Sequence, residues 1–186
     1  MGTPLPAQRS HRSSGHGRPS KKIASHAVSV QRGGWYITRT PLEPYGVMTL
    51  SRIPPLEFSD HELSTEKLCL RTTFRLDDGQ VCDIFNLHLT SNMQAGSEEQ
   101  RVYQLRTLAS LRDPTRLLVV CGDFNSAQPK LPHCELLCDV WASLQPDNDG
   151  YTFNVSTNHL AAKTSRRQLS CRYDRVLCGA GVAASS

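Results

Sequence analysis

Apolar and polar positions alternate with two different periods along this chain. From Lys67 to Leu76, Leu68, Leu70, Phe74 and Leu76 fall on one side and Arg71, Thr73 and Arg75 on the other. That period of two predicts a strand. Asp77-Asp78-Gly79 is a turn signal, and Val81 to Leu89 returns as a more apolar run, so the pair predicts a hairpin. In the second strand Asn86 and His88 share a face. The period then lengthens. Val102, Leu105, Leu108 and Leu111 form a helical stripe that ends before Pro114. Ser97 and Gln100 have the spacing of a capping box at its start, and Glu98 and Glu99 suit the positive end of the helix dipole. Leu117 to Cys121 is an unbroken apolar run that predicts a central, buried strand over 116–121.

The flanks are less regular. Order is expected to begin near Gly34-Trp35-Tyr36-Ile37, and Tyr45 to Arg52 reads as a strand ended by Pro54-Pro55. After the central strand, Leu136 to Leu144 suggests a short helix and Gln145 to Gly150 a loop. Tyr151-Thr152-Phe153 and Cys171 to Cys178 are the last strand candidates, and no internal repeat is visible.

Length and charge sharpen this outline. The 186 residues suit one domain, placed at 34–186, behind a basic leader over 1–30 whose composition predicts disorder. Residues 1–40 hold seven Lys/Arg and no acid, so the net charge of +4 leaves the remainder at −3. The positive excess therefore says little about a nucleic-acid groove on the body. Lys163, Arg166, Arg167, Arg172 and Arg175 are the local exception. No apolar run reaches the roughly 18 residues of a membrane span, and the first 20 residues lack the apolar stretch of a signal peptide. Seven cysteines, an odd number set mostly in apolar runs, suit a reducing intracellular compartment, cytoplasm or nucleus. His133-Cys134-x3-Cys138 lacks the second Cys/His pair of a structural zinc site.

Candidate chemistry collects where the central strand ends, at Gly122-Asp123-Phe124-Asn125. If strand geometry persisted, Asp123 and Asn125 would share a side and Phe124 would oppose them. Such an oxygen-rich pair at the mouth of a rigid element suits a hard divalent cation or a phosphate. An Asp/Asn turn closing a core strand is the competing reading.

Several islands in order resemble one family. They are Tyr-Gly-x4-Ser-Arg at 45–52, Asn-x-His-Leu-x-Ser at 86–91, Arg-x2-Gln-Leu at 101–105, Gly-Asp-Phe-Asn at 122–125, Thr-x5-Asn at 152–158 and Arg-x-Asp-Arg-Val at 172–176. Together they resemble the endonuclease/exonuclease/phosphatase superfamily and, within it, the tyrosyl-DNA phosphodiesterase branch. The resemblance implies an α+β fold, a partial four-layered sandwich of two mixed β-sheets flanked by helices. It also implies hydrolysis of phosphoesters, nucleic acid and tyrosyl-DNA phosphodiesters among them, with Mg²⁺ or Mn²⁺ as cofactor. Asp123 would ligate the metal and deprotonate or orient the attacking water. Asn125 would hold that water and the phosphoryl oxygens, and His88 would donate to a non-bridging oxygen. Asp174 would support a further histidine, with Ser91 and Asn158 as substrate-binding candidates. Local readings compete: Asp174 in an ion pair with Arg172 or Arg175, Asn158 as a turn residue, Arg101 and Gln104 as structural.

The departures from the family pattern have a functional consequence. Nothing before Trp35 resembles the family's first strands, which end in Asn and in the Gln-Glu that supplies the principal metal ligand. The final Ser-Asp-His strand has no counterpart in Ala-Gly-Val-Ala-Ala-Ser-Ser either. The alternative to an active phosphodiesterase is therefore a catalytically impaired, truncated remnant, or a phosphate- or nucleic-acid-binding module of the same fold.

Overall fold

The hairpin foreseen from the alternating run forms the middle of a six-stranded sheet. The computed structural model describes residues 27–41, 45–165 and 169–179. Three strands, β1 (Val28–Arg32), β2 (Trp35–Arg39) and β3 (Met48–Ser51), make a small antiparallel sheet. The main sheet draws on β4 (Glu57–Ser64), β5 (Lys67–Arg75), β6 (Val81–His88), β7 (Leu117–Asp123), β8 (Leu137–Asp139) and β11 (Asp174–Gly179), in the order β4-β5-β6-β7-β11-β8. β9 (Phe153–Asn154) and β10 (Ser170–Cys171) form a short ladder of their own. The helices are α1 (Ser97–Ser110), α2 (Val140–Leu144) and α3 (His159–Thr164).

β6 and β7 run parallel while their neighbours run antiparallel. A parallel pair needs a crossover, and α1 supplies it. Phe85 and Leu87 of β6, Leu118 and Val120 of β7, and Leu177 of β11 bury one face of the sheet against Leu105 and Leu108 of α1. The small sheet covers part of the other face. There Thr38 and Thr72 share a hydroxyl hydrogen bond of 2.9 Å, and Asn86 Nδ2 donates to the Met48 carbonyl at 2.9 Å. Helix, mixed sheet and second sheet make three layers among the described residues. The main sheet is mixed as expected, but the second sheet is antiparallel throughout.

Several local expectations give way. Residues 1–26 of the expected leader lie outside the described residues, whereas Val28 to Val30 already belong to β1. The capping box does not form: Gly96 is the N-cap, in a left-handed conformation with φ 66°, and no side chain caps the helix. The buried side of α1 is Arg101, Gln104, Leu105 and Leu108 rather than an all-apolar stripe. Polarity there has a cause. Gln104 accepts from the Thr90 N–H at 3.1 Å and donates to the Ser64 and Thr90 hydroxyls at 2.7 and 2.8 Å. Arg101 donates to the Thr90 carbonyl at 3.0 Å. These bonds satisfy buried backbone that follows β6 and fix the exit of the strand that carries His88. The expected helix over 136–144 begins instead as edge strand β8, because Leu137 to Asp139 find partners on β11.

Candidate active site

Two registers, one parallel and one antiparallel, set three polar side chains in a row. His88 is the register partner of Asp123 across the parallel β6–β7 ladder, and Asp174 is the partner of Asp123 across β7–β11. Opposed residues on neighbouring strands share a face, so the row His88, Asp123, Asp174 crosses one end of the sheet. His88 Nε2 lies 3.8 Å from Asp123 Oδ2. That is too long for a hydrogen bond and short enough for both to reach one phosphate.

The chain before and after Asp123 is pinned. Gly122 has φ 128°, and a Cβ there would collide with the Leu87 carbonyl oxygen, so β6 and β7 approach closely only because this residue is glycine. The Leu89 N–H donates to the Asp123 carbonyl and the Phe124 N–H to the Tyr173 carbonyl, both at 2.9 Å. Phe124 is fully buried in the core. Asn125 then takes a left-handed φ of 50°, which breaks the strand alternation anticipated over 123–125. Its N–H donates to Asp123 Oδ1 at 2.7 Å and its Nδ2 to the Leu89 carbonyl at 3.0 Å. The segment is an Asx turn as well as a site loop, so the two readings of Gly-Asp-x-Asn coexist. Asn125 is buried, and through these two bonds it ties the Asp123 carboxylate to the backbone that follows β6.

Electrostatics separate the two central groups. Burial pushes the Asp123 carboxyl above its ordinary pKa, the Asn125 N–H opposes this, and the Asp174 carboxylate adds to the rise. Burial pushes His88 below the usual imidazole value, and the Lys67 charge lowers it further against the pull of Asp123 and Asp174. At neutral pH His88 is therefore neutral, and its contact with Asp123 is not an ion pair. The sequence patterns did not single out Lys67 and Tyr45 as a unit. The Lys67 ammonium sits over the Tyr45 ring at 5.4 Å, and that ring meets His88 edge-on at 6.3 Å. Such cation–ring contacts form across strands and loops and leave no spacing signature.

The remaining candidates are arranged otherwise. Asp174 does not pair with its basic neighbours. Arg172 and Arg175 converge instead on Asp139 of β8, at 2.8 and 3.2 Å. The Asp174 and Tyr173 N–H groups both donate to the Thr152 hydroxyl at 3.1 Å, which accounts for the threonine of the Thr-x5-Asn island. Asn158 is the N-cap of α3 and accepts from the Leu160 and Ala161 N–H groups at 3.0 and 3.2 Å. Its oxygen is engaged as a helix cap. The Ser91 hydroxyl accepts from the Met93 N–H at 3.3 Å within the turn after β6. Arg166 and Arg167 lie outside the described residues. Beside Asp174 opens a cleft of about 690 Å³ walled by Cys121, Val176, Trp141, Leu144 and Tyr151, with Arg172 at its edge.

A magnesium or manganese ion fits this donor set poorly. Asp123 and Asp174 bring two carboxylates together, but among the described residues no three His, Cys, Asp or Glu side chains form a metal-binding group. One oxygen of Asp123 is already an acceptor for Asn125. Magnesium demands near-octahedral oxygen coordination, and two carboxylates leave most of that shell to other groups.

The fold is thus a mixed sheet with an α1 crossover and a His-Asp-Asp row at one strand-end mouth. The Endonuclease/Exonuclease/phosphatase family model matches residues 5–186, and the chain belongs to that family. Among solved structures it resembles D. rerio TDP2 complexed with single strand DNA product, with a TM-score of 0.67 and 21% identity over 81% of this chain and 64% of that one. TDP2 from C. elegans gives a TM-score of 0.62 and 16% identity over 78% of this chain and 48% of that one. These likenesses are of fold. A UPF0294 protein of Vibrio cholerae is 34% identical over 89 residues, which are 45% of this chain and 31% of the relative. The chain thus spans about two thirds of the first of these structures and under a third of the curated relative. No helix among the described residues is long and apolar enough to cross a membrane.

Proposed function

We propose that this chain binds phosphodiesters, nucleic-acid phosphates among them, at the mouth shared by β6, β7 and β11, and that Asp123 assists water attack on phosphorus there. The observation that carries the reading is the register row His88, Asp123, Asp174, with His88 and Asp123 3.8 Å apart. A carboxylate whose proton affinity is raised is the better acceptor for a proton leaving water. A neutral imidazole can donate to a non-bridging oxygen as charge builds there. Lys67 adds a positive charge on the same side. The cleft walled by Trp141 and Tyr151 offers an apolar, aromatic surface beside Asp174 for a base or phenolic ring attached to the phosphate. The single strand DNA product held by D. rerio TDP2 supports a nucleic-acid phosphate as the substrate class.

The two-carboxylate donor set favours a second reading of the same site, in which phosphoesters bind but turn over slowly. Divalent-metal chemistry is what the family resemblance implies. The test is hydrolysis and binding of a 5′-phosphotyrosyl oligonucleotide, together with hydrolysis of bis-p-nitrophenyl phosphate, with and without Mg²⁺. Binding is expected, with turnover near background. Any turnover should fall roughly 10²–10³-fold in Asp123→Asn, the usual cost of losing one transition-state group. Robust Mg²⁺-dependent turnover abolished by Asp123→Asn would retain the site and overturn the slow-turnover reading. Binding and hydrolysis left unchanged by both Asp123→Asn and His88→Ala would overturn the site itself.

A further inference from the structure

All seven cysteines are thiols, and two of them face each other across a ladder. Cys138 of β8 is the register partner of Cys178 of β11. No other ladder among the described residues pairs two cysteines. Cys69 is opposed by Leu87 and His61, Cys82 by Phe74 and Leu117, Cys121 by Val176 and Asn86, and Cys171 by Phe153. Directly opposed Cα atoms in an antiparallel ladder lie about 4.5 or 5.5 Å apart, depending on the pair type. Both values fall within the roughly 4.4–6.8 Å that a disulfide spans. The two side chains also leave the same face of the sheet.

We propose that Cys138 and Cys178 are a redox-active pair that closes to a cross-strand disulfide and fastens edge strand β8 to β11. Access divides the labour. Cys138 is exposed, and its sulfur lies 2.8 Å from the Ser143 hydroxyl. Cys178 is only 3% exposed. Burial pushes its thiol up, and the Cys138 sulfur beside it pushes in the same direction. Cys138 is therefore the thiol that meets an oxidant, and Cys178 the one that resolves the product.

With glutathione disulfide as oxidant, the Cys138 thiolate attacks one sulfur, the S–S bond breaks and one glutathione leaves. Cys178 then gives up its proton and attacks the Cys138 sulfur, and the second glutathione leaves. Two protein thiols are oxidised and one glutathione disulfide is reduced to two thiols. The buried resolving thiol makes the second step the slower one.

The bond would close a ring from 138 to 178 around α2, β9, α3 and β10. β8 also carries Asp139, which caps α2 through the Ala142 N–H and receives Arg172 and Arg175. Arg175 in turn holds the Ser126 and Gln128 carbonyls, just beyond Asn125. A staple at Cys138 thus acts on the strand that underpins the loop behind Asp123. In a reducing compartment the pair rests as thiols, and oxidation engages the staple.

The experiment uses the full chain, equilibrated in glutathione buffers of graded poise, quenched by alkylation and mapped by mass spectrometry. A peptide pair joined through Cys138 and Cys178 is expected, with loss of two of the seven titratable thiols. The melting midpoint should rise by several degrees on oxidation, and dithiothreitol should reverse it. Cys138→Ser should abolish crosslink and shift together, whereas Cys121→Ser should change neither. Cys138→Ser removes an exposed side chain and keeps the fold. Cys138 remaining glutathionylated without forming the crosslink would overturn the proposal. So would crosslinks distributed among other cysteines at comparable rates.

Discussion

Removing Arg175 should destabilise the fold through the loop behind Asp123. The side chain is 5% exposed. Nη2 donates to the Ser126 carbonyl at 3.1 Å and the Gln128 carbonyl at 2.6 Å, while Nη1 reaches Asp139 at 3.2 Å. Arg175→Ala strands two carbonyls, at about 1 kcal/mol or somewhat more each. It also removes one of two cations from Asp139. A broken buried ion pair costs about 3–5 kcal/mol, but Arg172 stays at 2.8 Å from the same carboxylate and softens that loss. The total is about 3–4 kcal/mol. At a urea slope of about 2 kcal/mol per molar, the unfolding midpoint should fall by about 1.5–2 M. Arg175→Met keeps the apolar stem and separates lost packing from lost hydrogen bonds. It should recover less than half of the shift. A change under about 0.5 M for Arg175→Ala, well within the error of assigning one weak contact, would refute the idea that this guanidinium ties β11, β8 and the site loop together.

Other outcomes follow from the same geometry. Gly122→Ala should cost more than the ~1 kcal/mol usual for a glycine substitution at positive φ, because the new Cβ meets the Leu87 carbonyl, and thermal denaturation reads it directly. The His88 imidazole, followed by proton NMR, should titrate below 6.5, and Lys67→Met should raise its midpoint, since the Lys67 charge helps to hold it down. With its folded pKa depressed, His88 contributes stability that is present above 6.5 and is lost as pH falls through the folded value. His88→Gln should therefore flatten that part of the stability profile. Asn158→Ala should cost about 0.5–2 kcal/mol as a lost helix cap and leave oligonucleotide binding unchanged, whereas a binding defect would return Asn158 to the site.

What could be read from the chain depended on how local its cause was. The β5–β6 hairpin and β7 were legible because side-chain alternation, a turn signal and a long apolar run all lie within one short window. The row His88, Asp123, Asp174 was reached through the family islands, since no periodicity links positions on β6, β7 and β11. Asp139 was missed. Its partners Arg172 and Arg175 are 33 and 36 residues away, and Leu137 to Asp139 read as the start of a helix until β11 pairs with them. β4 was missed because Glu57 to Ser64 is mostly polar and becomes a strand by pairing with β5 at the sheet edge. Gln104 and Arg101 read as structural from the sequence, but their burial goes with bonds to Thr90 that no helical period shows.

The register row also dictates when the site comes into being. His88 and Asp123 are neighbours only across the parallel β6–β7 ladder, and Asp174 joins them only when β11 docks on β7. Parallel pairing must first close the loop that contains α1, and such non-local contacts are slow to form. Asp174 is the last of the three in chain order, so α1 and the β5–β6 hairpin can form before the row is complete. The proposed phosphate site is then a late reporter of folding. Trapping a labelled phosphoester during refolding would time the docking of β11, and burst-phase helix signal should precede that capture.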